Sequence, residues 1–162
     1  MSKTDPAHRI VESTKEVHVP MPAAAVRSLL ARPDAIAQWE PWTGEVTERD
    51  GLIESTTRTE APGGQTVDVP EERRRQVIER YSEKGRQGWR ISYPDAEDPN
   101  ARTITFAAQP AGSGTRLRIT VSWAVKAVRS RGFAGALSLR IAKAVYAAQS
   151  RVIFEQVKEA LR

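Results

Sequence analysis

The segment GFAGALSLRIAKAVYAAQSRVIFEQVKEALR, residues 132–162, decides the fold of this chain. It is rich in alanine, lacks proline and carries apolar residues at helical spacing, which predicts one uninterrupted helix. At 1.5 Å per residue this helix would be roughly 45 Å long, more than a typical globular helix. The preceding part of the chain is therefore expected to supply the surface against which this helix packs.

The middle of the chain has the turn signals of successive antiparallel strands. Asp50-Gly51 is the strongest short hairpin signal, and Gly112-Ser113-Gly114 separates the last two strands. A single long strand is predicted over about 66–81, with Pro70 at a bulge or an edge. In the last strand, over 115–127, apolar and polar residues alternate, as expected for one buried and one solvated face.

The beginning of the chain predicts one strand and two short helices. Residues 1–8 are expected to be disordered, and a strand should follow over 9–19. The helices are predicted over 23–31 and 34–40, the second with Asp34 as its N-cap.

This order of elements predicts a single α+β domain over residues 9–162. A curved antiparallel β-sheet of about seven strands should wrap around the long C-terminal helix, since a sheet with one apolar face needs a cover.

Composition excludes several classes of protein. The chain of 162 residues has no cysteine and two histidines, so disulfides, thiol nucleophiles, histidine-based triads and clustered metal ligands are not expected. No apolar run is long enough to span a membrane and no signal-peptide pattern is visible, so we expect a cytoplasmic protein. The net charge of +5 admits an anionic partner, although interspersed acidic residues favour a solvated basic surface.

On a helical wheel, the long helix has a basic side and an opposite side that carries small and uncharged polar residues. Its basic side contains Arg140, Lys143, Arg151, Lys158 and Arg162. The centre of the opposite side contains Ser138, Ala142, Val145, Gln149 and Gln156. This face is small enough to leave room for a ligand, and Ser138, Val145 and Gln149 are candidate contacts. The alternative is that Gln149 and Ser138 bond to a strand backbone or to ordered water, because a buried unpaired amide is costly.

Aromatic side chains are the other candidate walls of a ligand site, with core packing as the alternative for each. They are Trp42, Trp89, Tyr93, Phe106 and Trp123.

The segment RRRQVIERY, residues 73–81, carries charges on both faces of its predicted strand. One face includes Arg80 and the other includes Glu79 and Tyr81, and a one-residue change of register would exchange them. The catalytic candidates are therefore Arg80, Glu79, Tyr81 and Gln149, with a solvated face as the alternative for the strand residues.

These features resemble the helix-grip fold of the SRPBCC superfamily, which includes START lipid-transfer domains, birch-allergen-like proteins and bacterial polyketide cyclases/dehydrases. The segment VHVPMPAAAVRSLLARPDAIAQWEPW, residues 17–42, is similar to the opening of that family. The segment GSGTRLRITVSWAV, residues 112–125, is similar to its last hairpin. The resemblance covers roughly 9–162 and implies a deep apolar cavity between sheet and helix. In polyketide cyclases of this fold an arginine on a middle strand lines the pocket, and Arg80 is the residue that could correspond to it.

The resemblance implies binding of a hydrophobic small molecule that is polyketide-, polyene- or lipid-like. Cofactor-free cyclisation or dehydration is the enzymatic version, and a non-catalytic carrier is the alternative. A further alternative is a binder of RNA, ribosomes, protein or a membrane surface through the exposed charges of a basic segment. That segment contains Lys126, Arg129, Arg131, Arg140 and Lys143. No metal, cofactor or DNA is expected, and both a monomer and a homodimer are compatible with the sequence.

Overall fold

The fold is described from a computed structural model. It covers residues 8–60, 63–97, 99, 102–126 and 133–162, and side chains are described within these ranges except at 8, 126 and 133–139. Of the segment predicted to be disordered, residues 1–7 lie outside this description, whereas His8 begins the first strand.

Within the described residues, seven strands form one antiparallel sheet in the order β1-β7-β6-β5-β4-β3-β2. The strands are β1 His8–Val19, β2 Thr43–Arg49, β3 Leu52–Thr57, β4 Arg75–Glu83, β5 Arg86–Ser92, β6 Arg102–Ala111 and β7 Gly114–Lys126. The helices are α1 Ala23–Leu30, α2 Ile36–Trp39 and α3 Phe133–Ala160. The predicted α+β helix-grip architecture is confirmed.

The concave face of the sheet, defined here as the face that carries the buried residues, supplies most of the core. Leu117, Ile119 and Val121 alternate along β7 and are fully buried, as the sequence pattern predicts. Residues that pair across neighbouring strands lie on the same face, so this face continues across β6, β5 and β4. One such row of paired residues is Val121, Ile104, Trp89 and Arg80. The Asp50-Gly51 hairpin is also confirmed, with both residues at the positive φ that a tight two-residue turn requires.

Two local predictions are wrong. The long strand predicted over 66–81 begins only at Arg75, because Pro70 precedes a 3₁₀ turn at Glu71–Arg73 instead of lying within the ladder. Proline cannot donate a ladder hydrogen bond, so the strand forms after it. Asp34 does not cap a helix: it lies within the 3₁₀ turn Pro33–Ala35 and pairs with Arg32, and α2 is a single turn.

The inward face of α3 also differs from the predicted one. Its buried residues are Ser150, Ile153, Phe154, Val157 and Leu161. This face is rotated by roughly 90° from the one centred on Gln149, at 100° per residue. The physical reason is side-chain size, because burying isoleucine, phenylalanine and leucine removes more apolar area from water than burying alanine and glutamine does.

We predict that Ile153→Ala destabilises the protein by about 2–5 kcal/mol, because it leaves a cavity under α3. The matched change Val145→Ala should stay within about 0.5 kcal/mol, since Val145 is 47% exposed. Urea unfolding followed by circular dichroism measures both. A larger loss at Val145 than at Ile153 would instead support the inward face predicted from the sequence.

Candidate functional site

A buried arginine lies on the concave face, near one end of its strands. Arg102 begins β6 and shares its face with Ile104 and Phe106, and the residue is 1% exposed. Its ladder partners are Ile91 on β5 and Trp123 on β7. A charge in such a position needs a buried counter-charge and hydrogen bonds.

Glu40 supplies that counter-charge. It directly follows α2 and is fully buried, and its Oε1 accepts a hydrogen bond from Arg102 Nε at 3.1 Å. Its Oε2 accepts from the backbone N–H of Trp42 and from the hydroxyl of Thr43. The hydroxyl of Thr43 also lies 2.8 Å from Oε1 of Gln76 on β4. Both carboxylate oxygens of Glu40 are thus engaged within the protein.

Aromatic rings surround the Arg102 guanidinium. Its carbon lies 5.8, 5.7 and 5.8 Å from the ring centres of Trp42, Tyr93 and Trp123. Arg102 Nη1 donates to the hydroxyl of Tyr93 at 2.8 Å. We call Glu40, Trp42, Tyr93, Arg102 and Trp123 the Arg102 cluster.

The helix α3 closes one side of this cluster. The ring of Tyr146 lies 5.0 Å from that of Trp123, and the indole N–H of Trp123 donates to the Ser150 hydroxyl at 2.9 Å. Ser150 in turn donates to the backbone oxygen of Tyr146. Among the described side chains of α3, the fully buried polar residue is therefore Ser150, whereas Gln149 is only partly buried.

Arg102 remains charged but is not fully hydrogen-bonded. Burial lowers its pKa, while the Glu40 carboxylate and the Tyr93 hydroxyl raise it by more, so the net direction is upward. The cluster therefore contains a buried cationic nitrogen, Nη2 of Arg102, that has no hydrogen-bond partner among the described residues.

The sequence-predicted ligand residues fall into two separate places. Trp42, Tyr93 and Trp123 belong to the Arg102 cluster. Trp89 and Phe106 instead line a groove of about 710 Å³ beside α1, together with Arg80. The ring of Trp89 lies 4.7 Å from the Arg80 guanidinium carbon.

The structure places the other catalytic candidates away from the concave face. Glu79 and Tyr81 alternate with Ile78 and Arg80, so they lie on the opposite, convex face of β4. Burial and a hydrogen bond to Glu83 raise the pKa of Tyr81, which keeps its hydroxyl protonated. The register therefore favours Arg80 over its two neighbours as an inward-facing residue.

The candidates on α3 have different surroundings. Gln149 is partly buried and Val145 is 47% exposed, so neither lies at the centre of the buried face. The side chain of Ser138 lies outside the described residues. Gln156 lines a second open groove of about 730 Å³ with Arg58 and Arg74.

The basic segment is only partly described. Arg140 and Lys143 are exposed, and the side chains of Lys126, Arg129 and Arg131 lie outside the described residues. Within the described part of the chain, no group of three or more histidine, cysteine or acidic residues is arranged to hold a metal ion. Over the same residues, no helix is long and apolar enough to cross a membrane.

Sequence reasoning missed Arg102, Glu40 and Ser150. An available signal was the segment RTITF, residues 102–106, in which an arginine alternates with Ile104 and Phe106 on an apolar face. The sequence indicates the burial of Glu40 more weakly, through its position as a single acid between Trp39 and Pro41.

Comparison with known proteins identifies the family. The model of the family described as "Polyketide cyclase / dehydrase and lipid transport" matches residues 11–161, so the chain belongs to this family. Both activities in that description concern hydrophobic molecules. A search of curated proteins found no match.

Solved structures agree on the fold. A protein from Chromobacterium violaceum has a TM-score of 0.57 at 14% identity, with 93% of this chain and 96% of that chain covered. A START superfamily protein from Mycobacterium smegmatis has a TM-score of 0.57 at 12% identity, covering 95% and 97%. The di-domain ARO/CYC StfQ from the steffimycin biosynthetic pathway has a TM-score of 0.55 at 12% identity, covering 94% of this chain and 51% of that chain. At these identities the likeness shows the fold alone, and it agrees with the helix-grip architecture described above.

We predict that Arg102→Met destabilises the protein by about 3–5 kcal/mol, because Glu40 is then buried without its partner. The double variant Glu40→Gln/Arg102→Met should recover part of this loss, since no uncompensated charge remains. Urea unfolding of Arg102→Met, Glu40→Gln and the double variant measures the coupling free energy between Arg102 and Glu40.

Arg75→Met is the matched control, because Arg75 also pairs with carboxylates, Glu54 at 2.9 Å and Asp95 at 3.0 Å, but is exposed. Solvent screens such pairs, so stability should change little. Equal losses for Arg102→Met and Arg75→Met would show that burial of the Arg102–Glu40 pair has no special energetic role.

Proposed function

We propose that the protein binds a polyketide-, polyene- or lipid-like small molecule over the Arg102 cluster, between the concave face and α3. The observation that supports this most directly is Arg102 Nη2, a buried cationic donor without a described partner among three aromatic rings. Family membership supports the hydrophobic class of ligand.

The charge balance of the cluster favours a neutral polar group on the ligand. Glu40 already neutralises Arg102 at 3.1 Å, so a ligand carboxylate would add a second, uncompensated buried anion. A carbonyl or hydroxyl oxygen could accept from Nη2 without that cost, and it would relieve an unpaired donor that costs about 1–3 kcal/mol.

The rings favour a flat or conjugated ligand body. Trp42 and Tyr146 are partly exposed, whereas Trp123 and Tyr93 are at most 9% exposed, so the cluster combines a buried interior with an accessible side. Aromatic walls with a small number of placed polar groups are typical of small-molecule sites. The sequence predicts an enclosed cavity that the first half of α3 would bound. The side chains of α3 are described only from Arg140, so this cavity stays a prediction.

The contacts of the Arg102 cluster support a non-catalytic carrier of a hydrophobic molecule better than they support a cyclase or dehydratase. A proton-abstracting base has to be directed at the ligand, and both oxygens of Glu40 are directed at donors within the protein, on Arg102, Trp42 and Thr43. Arg102 could still polarise a ligand carbonyl, which is what cyclisation or dehydration would require of it. Cyclised or dehydrated products formed from a poly-β-ketone thioester by the wild type, and lost in Glu40→Gln/Arg102→Met, would favour the enzyme.

We predict that 9-fluorenone binds the wild-type protein about tenfold more tightly than fluorene, since one bond to a charged donor contributes about 1.5–3 kcal/mol. The two probes share one tricyclic ring system and differ in a single carbonyl. Quenching of tryptophan fluorescence or calorimetry gives both dissociation constants.

In the double variant Glu40→Gln/Arg102→Met the difference between the probes should vanish while fluorene still binds. Equal binding of both probes by the wild type, or an unchanged preference in the double variant, would refute Arg102 as the polar anchor. Native mass spectrometry of the purified protein provides an independent test, with a neutral oxygen-containing hydrophobic molecule as the expected bound species.

A further inference from the structure

The groove beside α1 is separate from the Arg102 cluster. It has a volume of about 710 Å³ and lies between the end of α1 and the strands β4, β5 and β6. Among the residues whose side chains are described, none of those that line the groove belongs to the Arg102 cluster or to α3. Its size lies within the range of sites for small molecules.

Part of the groove lining is aromatic and rigidly held. Trp89 is 1% exposed, and its indole N–H donates to the backbone oxygen of Leu30 at 2.9 Å, which joins β5 to the end of α1. Phe106 is 8% exposed and packs edge-on against Trp39 at 5.2 Å between ring centres. These two side chains and Leu30 form the apolar floor of the groove, and the Arg80 guanidinium lies over the ring of Trp89.

The polar part of the groove carries two cations and, in the described part of the chain, no acid. Arg27 comes from α1 and donates from Nη2 to the backbone oxygen of Ala108 at 2.6 Å. Arg80 comes from β4 and donates from Nη1 to the backbone oxygen of Ala31 at 3.0 Å. Each bond uses one of the five N–H groups of a guanidinium.

The arginines of the groove lack, in the part of the chain that the structure describes, the carboxylate partner that Arg102 has in its cluster. Among the described residues, no carboxylate forms an ion pair with Arg27 or Arg80, and both side chains are exposed. A guanidinium binds a carboxylate with two parallel hydrogen bonds, which adds geometric specificity to the charge attraction.

We propose that this groove is a second binding site, for a small molecule that joins a carboxylate to an aromatic ring. The carboxylate pairs with Arg27 and Arg80, and the ring lies against Trp89 and Phe106. The site is independent of the ligand bound over the Arg102 cluster.

The test titrates the full-length protein with 2-naphthoate and, separately, with its neutral analogue 2-naphthamide. The indole N–H signal of Trp89 in a ¹⁵N-correlation spectrum, assigned with the Trp89→Phe variant, reports binding at the groove. Naphthoate should shift this signal and bind at least about tenfold more tightly than the amide, as expected for a charge-assisted bidentate contact. Equal affinities, or no shift of the Trp89 signal, would overturn the proposal.

The double variant Arg27→Gln/Arg80→Gln should lose the preference for naphthoate. Arg118→Gln/Arg140→Gln removes the same charge from two exposed positions on β7 and α3 and should retain it. An equal loss in both variants would mean that only net charge matters, which would overturn the site. Saturating 9-fluorenone should leave naphthoate binding unchanged, and displacement would overturn the independence of the two sites.

Discussion

The buried ion pair between Arg102 and Glu40 is the interaction on which the arrangement of this domain depends. Glu40 follows α2 and accepts a hydrogen bond from Thr43, the first residue of β2. Arg102 is the first residue of β6; it donates to Glu40 and to Tyr93, which directly follows β5. Buried ion pairs contribute little net stability relative to apolar packing, but losing one partner is costly. The pair therefore acts mainly as a geometric constraint, because helix and strands must meet where both charges are satisfied.

The two proposed ligand regions differ in how arginine is neutralised. At the Arg102 cluster the protein supplies the carboxylate, so the remaining donor suits a neutral oxygen. At the groove beside α1 the protein supplies two exposed guanidinium groups without a described carboxylate, so under our proposal a ligand would supply the counter-charge. The same residue type thus selects different chemistry in the two places, and the difference follows from the neighbouring residues and not from arginine itself.

Sequence reasoning identified part of the candidate site. Trp42, Tyr93 and Trp123 were predicted as ligand residues and do lie together, because aromatic residues on strand faces and helix ends mark where a core forms. Arg102 was missed, because an arginine near a strand end normally indicates solvent. Its partner lies 62 residues away in the sequence, and no local pattern connects the two. The roles of these residues in binding remain predictions.

The sequence by itself determined the local elements and their order: the Asp50-Gly51 hairpin, the alternation along β7 and the long helix α3. Turn chemistry and side-chain periodicity are local properties, and both can be read from neighbouring residues. Only the tertiary structure decided between two neighbouring faces of α3, one with small residues around Gln149 and one with larger apolar residues. The buried face is rotated by roughly 90° from the predicted one. That rotation followed Ile153, Phe154, Val157 and Leu161, and it placed Ser150 where Gln149 had been expected. The burial of Arg102 was decided in the same way, by a counter-charge that only the folded chain brings within 3.1 Å.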